Sequence, residues 1–245
     1  MGRLWLSGTL IPYLLTLSLA ALLAGCQSHS QPSNTGNVPG GPGLLPELAS
    51  KPQPVGTTFK GCPPEGRGGD PVLNWLKNRV DDGAYYPVAF EAVAQLSWPK
   101  TAEYRRRDEW SSADTMTISH YEGVPLMVEG YLAEVTEQGP EACNCYSQNH
   151  DMRDFHLWLT GRPTQDRSQS IIVEVTPRLR AVHSAWQLEN LRNLARDQVP
   201  VRISGWLMFD PDHPDLLGKT RGTLWELHPV MRIEVQQQGG WVQLQ

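Results

Sequence analysis

Apolar and polar side chains alternate strictly through DFHLWLTG, where Phe155, Leu157 and Leu159 take one face and Asp154, His156 and Trp158 the other. A period of two predicts a half-buried strand. SIIVEVTPR repeats it, with Ile171, Val173 and Val175 set against Ile172, Glu174 and Thr176. So does TLWELHPV, which sets Trp225 and Leu227 against Glu226 and His228. VPLMVEGYLAEVTEQG and VPVRISGWLMFD read as two further strands, Gly130 marking a bend or bulge inside the first.

Helical spacing falls elsewhere. DPVLNWLKNRVDD has an acidic N-cap, a proline at the first helical position and apolar Val72, Leu73, Leu76 and Val80. FEAVAQL is a shorter helical or extended piece, and YRRRDEW reads as a solvated surface turn. SAWQLENLRNLARDQ predicts an amphipathic helix capped by Ser184, with Trp186, Leu188, Leu191 and Leu194 on its apolar side. The order is three strands, a helix, then two strands. This predicts a mainly β fold, an OB-fold-like five-stranded Greek-key barrel with its helix between strands three and four, over residues 121–245. A helical lead-in over 61–120 precedes it. Another small barrel or an α+β sandwich is the alternative.

Upstream, the texture changes twice. Residues 1–25 carry one charge, Arg3, and an apolar run from Ile11 to Leu23, the pattern of an export signal. The run closes on Leu23-Ala24-Gly25-Cys26, which resembles the lipobox of bacterial lipoproteins and implies a lipid on Cys26. Gln27 after it implies transfer to the outer membrane, with the chain facing the periplasm. Residues 26–60 are rich in Pro, Gly, Ser and Asn and predict a disordered tether. Without residues 1–25 the chain has 20 basic and 26 acidic side chains. That excess of acid argues against non-specific nucleic-acid binding.

Cys62, Cys143 and Cys145 remain after Cys26. In an oxidising compartment the expectation is one disulfide, from Cys62 to Cys143 or to Cys145, with one thiol left. The alternative is a soft-metal site made by Cys143, Cys145 and His150 or His156.

With Phe155, Leu157 and Leu159 inside the barrel, the outward face carries Asp154, His156, Trp158, Glu174 and Thr176, extended by Arg178, with Glu226 and His228 on the last strand. That is the face on which OB-folds commonly bind ligands. Trp158, Thr176, Arg178 and Glu226 are the binding candidates, Trp158 by stacking on a ligand. His156, His228 and the loop residue His213 are candidate ligands for a divalent ion such as zinc, with Asp154 or Glu174 as general base.

GGDPVLNWLKNRVD, DFHLWL, IIVEVTPR and LWELHPV together resemble a group of uncharacterised bacterial lipoproteins with an OB-like domain. The resemblance runs over roughly residues 62–235. It implies that Asp154, His156, Glu174, Glu226 and His228 hold recurring positions. A more distant similarity to OB-fold nucleases of the staphylococcal type lacks their arginine and carboxylate pattern.

Two functions follow from these faces. One is a ligand-binding or interaction module of the envelope, with a small molecule or an envelope protein as partner; the other is a metal-dependent phosphodiesterase. A third reading is structural, with the polar face tied up in internal hydrogen bonds.

Overall fold

The computed structural model describes residues 45–48 and 50–245. The expected export signal, Cys26 and the first part of the expected tether lie outside the described residues. Order begins earlier than the expected boundary at 60. Leu45 is buried, the Lys51 ammonium bonds the carbonyl oxygens of Ser119 and Glu122, and Gly56 bridges to Arg79.

The lead-in contains α1 (Pro71–Lys77), β1 (Tyr86–Val88), α2 (Phe90–Ala94) and α3 (Ser112–Tyr121). α1 starts where the sequence places it, because the Asp70 side chain accepts from the backbone N–H of Val72 and Leu73. It stops earlier, at Lys77, and its buried face is Leu73 and Asn74, whereas Val72 is 55% exposed. Asn74 is buried because its amide donates to the Glu65 and Gly68 carbonyls, which holds the 65–69 loop against the helix.

The barrel is built from β2 (Pro125–Glu137), β3 (Phe155–Thr160), β4 (Ile171–Val175), β5 (Val201–Phe209) and β6 (Trp225–Gln237), with β7 (Gly240–Gln243) added to the far half of β6. The closed order is β2-β3-β4-β6-β5 and back to β2. Only β4 and β6 run parallel among these five. Closure turns on Gly130. Before it β2 pairs with β5, and after it with β3. A Cβ at Gly130 would sit 2.5 Å from the Thr160 carbonyl oxygen, so only glycine allows the strands to cross this closely.

α4 (Pro177–Arg180) and α5 (Leu188–Arg196) fill the link from β4 to β5. The helix between the third and fourth barrel strands is therefore present, but it begins at Leu188 with Gln187 at its N-cap, not at Ser184. Trp186 precedes it, fully buried, its indole N–H donating 2.7 Å to the Leu244 carbonyl. Inside the barrel Phe155, Leu157, Leu159, Ile171, Val173, Val175, Trp225 and Leu227 share one apolar core. The alternation assigned these positions correctly. Among the described residues, no helix is long and apolar enough to cross a membrane.

Candidate functional site

The outward face of β3, β4 and β6 is polar, and it is not wet. Asp154, Glu174 and Thr176 are each 1% exposed, and Glu226 and His228 are sealed completely. The lead-in lies over this face, which corrects the expectation of a solvent-facing patch. The fasteners are specific. Cys62 and Cys145 form a disulfide with their Cα atoms 5.8 Å apart, joining the lead-in to the loop after β2. Arg178 completes the clamp: its guanidinium donates to the Asn78 and Asn144 side-chain oxygens at 2.6 and 3.2 Å, and to the Cys62 and Thr57 carbonyls. Arg178, expected to extend a binding face, is thus a buried tie between segments.

The disulfide settles the cysteine alternatives. Cys145 is spent on Cys62, so a Cys143–Cys145 metal pair does not form. Cys143 is a free, buried thiol 3.6 Å from an Asp154 oxygen. Burial, then the Asp154 carboxylate, pushes it upward, so it stays protonated. His150 is exposed and pairs with Glu137 at 2.6 Å.

Strand register brings the central residues together. His156 sits opposite Glu174, and Ile172 opposite Glu226. His156 Nε2 lies 2.6 Å from Glu174 Oε1, and His228 Nδ1 lies 3.4 Å from that same oxygen and 3.7 Å from Glu226 Oε2. Arg221 closes the row, 2.8 Å from Glu226 and 3.6 Å from Asp210. Asp154 enters from just before β3, one oxygen accepting from the Asn144 amide at 2.9 Å.

Charge is unevenly shared in this row. Burial pushes Glu174 up, but His156, His228 and the Lys77 ammonium together hold it well below the usual carboxylate range. Burial disfavours charge on both imidazoles, yet Glu174 raises His156, and Glu174 with Glu226 raises His228 to about 10. Asp154 moves the other way, to about 6, because burial and the Glu141 carboxylate outweigh help from His228 and Lys77. Asp210 falls to about 2: burial opposes it, but Lys77 and Arg221 win.

The row can be reached from solvent. A cavity of about 500 Å³ lies between barrel and lead-in, with His156 and Glu174 at its base and Lys77, Glu141, Asp210, Asp212 and His213 among its walls. His156 is the member of the polar row that remains partly open, its side chain 14% exposed. Arg105 and Arg106, from the charge run read as a solvated turn, are exposed on the rim. Their neighbour Arg107 turns inward to Glu122 at 2.5 Å and the Phe209 carbonyl.

Three candidates fall elsewhere. Trp158, expected to be exposed for stacking, is 8% exposed; it packs with Ala133 and Ile172, and the Arg167 guanidinium covers its ring at 4.8 Å. Thr176 is buried at the start of α4. His213 lies on the cavity wall 3.9 Å from Asp210, and no cluster of ligand atoms among the described residues joins it to His156 or His228. Lys77 and Arg221 were missed. Lys77 closes a helix whose apolar spacing alone drew attention, and Arg221 sits in a Gly-flanked loop where no periodicity marks it.

No protein-family model matches the chain, and no curated protein matches it in sequence.

Proposed function

We propose that this chain is a lipid-anchored envelope protein, held by Cys26 to the outer membrane and facing the periplasm, whose OB-like domain binds a small polar ligand. The lipobox and the Cys62–Cys145 disulfide support the location, since such bridges persist outside reducing compartments. One observation carries the binding role: the polar barrel face, covered elsewhere by the lead-in, opens at a cavity of about 500 Å³ over the His156–Glu174 pair. That size is ordinary for a small-molecule site, a concave pocket with a few convergent polar groups. Its walls carry both signs of charge, Lys77 and Arg105 against Glu141, Asp210 and Asp212. Such walls suit a ligand that itself carries both signs, such as an amino acid or short peptide. A polymer lying along the whole OB face is disfavoured, because the lead-in occupies that path.

The phosphodiesterase reading placed His156, His213 and His228 around one ion. His213 stands apart and His156 Nε2 is engaged by Glu174, so the geometry favours binding over that reaction.

The test is a thermal-shift screen of the mature protein with amino acids, dipeptides and monosaccharides, alongside native mass spectrometry for a co-purifying molecule. Saturation at ~100 times Kd adds about 2.7 kcal/mol, a rise of roughly 5–10 °C for a domain of this size. The rise is expected in wild type and lost in a Lys77→Met, His156→Gln double variant. Wild-type protein that carries no small molecule and responds to none of these classes refutes the reading.

A further inference from the structure

Beneath the cavity floor, three ligand-type groups converge from separate segments. Asp154 comes from the loop ahead of β3, Glu174 from β4 and His228 from β6, all at most 1% exposed. One oxygen of each carboxylate and one His228 nitrogen lie within 4.8 Å of one another. Among the described residues, Asp154 Oδ1, Glu174 Oε2 and His228 Nε2 have no hydrogen-bond partner, and His228 Nδ1 has only the longer ion-pair contacts at 3.4 Å to Glu174 Oε1 and 3.7 Å to Glu226 Oε2. Each carboxylate spends its other oxygen: Asp154 Oδ2 on Asn144, Glu174 Oε1 on His156. Buried polar atoms without partners are costly and rare in folded proteins. These sit on three separate segments around one buried spot, and a shared occupant would satisfy them.

We propose that Asp154, Glu174 and His228 bind a divalent transition metal of the zinc type. Imidazole with two carboxylates is a borderline donor set that suits zinc rather than calcium or magnesium. Ligands ~2.0–2.2 Å from a tetrahedral ion stand about 3.3–3.6 Å apart, so groups whose ligand atoms lie within 4.8 Å of one another close by up to about an ångström when the ion enters. The partners already in place resemble the support that metal ligands ordinarily have. His156 orients Glu174, and the Asn144 amide, itself tied to Arg178, orients Asp154. The Cys143 thiol, held protonated, stands beside the site 3.6 Å from Asp154 Oδ2. Coordination requires His228 to give up its second proton to solvent, so affinity falls as the pH drops. This ligand set differs from the His156, His213, His228 set expected from the strand pattern. It shares Glu174 with the base of the cavity above, whereas Asp154 and His228 do not line that cavity.

The test begins with full-length mature protein, purified without a metal-affinity tag and stripped with a chelator. Titration with zinc is expected to show one equivalent bound per chain, with a rise in melting temperature. Asp154→Asn and His228→Gln should each weaken zinc binding at least ~10-fold, and His213→Ala should not change it. Folded, stripped wild type that takes up no zinc overturns the proposal, as does unchanged uptake by folded Asp154→Asn and His228→Gln. If those variants do not fold, cobalt(II)-loaded wild type decides. A paramagnetically shifted imidazole N–H resonance supports the site, and its absence overturns it.

Discussion

Strands β3, β4 and the first half of β6 have two faces, and both are largely dry. Inside, Leu157, Val173 and Leu227 are fully buried among other apolar side chains, where any close-packed neighbour will serve. Outside, His156, Glu174, Glu226 and His228 are buried almost as deeply, but each depends on a particular partner at a particular distance. The inner face could tolerate repacking. The outer face is a second, ionic core, closed by a lead-in that has to be fastened down before burial of charge becomes tolerable.

Breaking the fastener should cost most. The Cys62–Cys145 bridge spans a sequence separation of 83 residues, for which the chain-entropy model gives about 4–5 kcal/mol. In Cys62→Ala/Cys145→Ala, urea denaturation should show a loss of that order, and the outer face should exchange its amide protons faster than the inner core. Equal acceleration on both faces would mean the two cores are not separately secured.

Next comes a matched pair across one strand pairing. Glu174→Ala removes the carboxylate that His156 and His228 share and should cost about 3–5 kcal/mol at neutral pH. Leu157→Ala on the inner face should cost about 2–5 kcal/mol through lost contact and a cavity, independent of pH. A Glu174→Ala loss below ~1 kcal/mol by chemical denaturation would show that the outer face is solvated after all.

A smaller effect separates the faces by pH. Asp210 is lowered from an ordinary 3.8 to about 2. A carboxyl depressed by folding adds stability above its unfolded value, and that stability drains away as pH falls from about 4 through 2. The full contribution is about 2 kcal/mol. Asp210→Asn should therefore be less stable than wild type by about that amount at pH 5, and the gap should close near pH 2. A gap that stays constant down to pH 2 would contradict the ionic account.

Smallest is Arg167→Ala, which uncovers Trp158 and removes a cation–π contact worth about 0.5–1 kcal/mol. Its indole fluorescence should shift red with little change in stability. A loss of several kcal/mol would place Arg167 inside the ionic core rather than over its edge.

Strand faces and the fold class were legible because period two and the strand–helix order are local patterns. The pairing of His156 with Glu174 followed once register was granted, and Glu226 with His228 followed from one strand. Burial did not follow. The usual inference that polar means exposed fails here because α1 and the loops at 62–69 and 138–146 cover the face, and nothing in β3 or β4 records that cover. Trp158 was misplaced because its exposure was read from the alternation: the alternation is correct, but Ala133 and Ile172 beside it and the Arg167 guanidinium over its ring cover it. Lys77 escaped because its role depends on which way α1 faces, a property of packing rather than spacing.

Sequence alone determined which side chains share a strand face, that α1 begins behind an Asp70 cap, and that Gly130 marks a break in the first barrel strand. Only tertiary structure decided that Cys62 takes Cys145 rather than Cys143, that Arg178 is a clamp, and that Asp154, Glu174 and His228 meet beneath a lead-in some 80 residues away along the chain. Periodicity is a property of neighbours in sequence. The electrostatic environment of a carboxylate depends on neighbours in space, and those exist only once the chain has closed on itself.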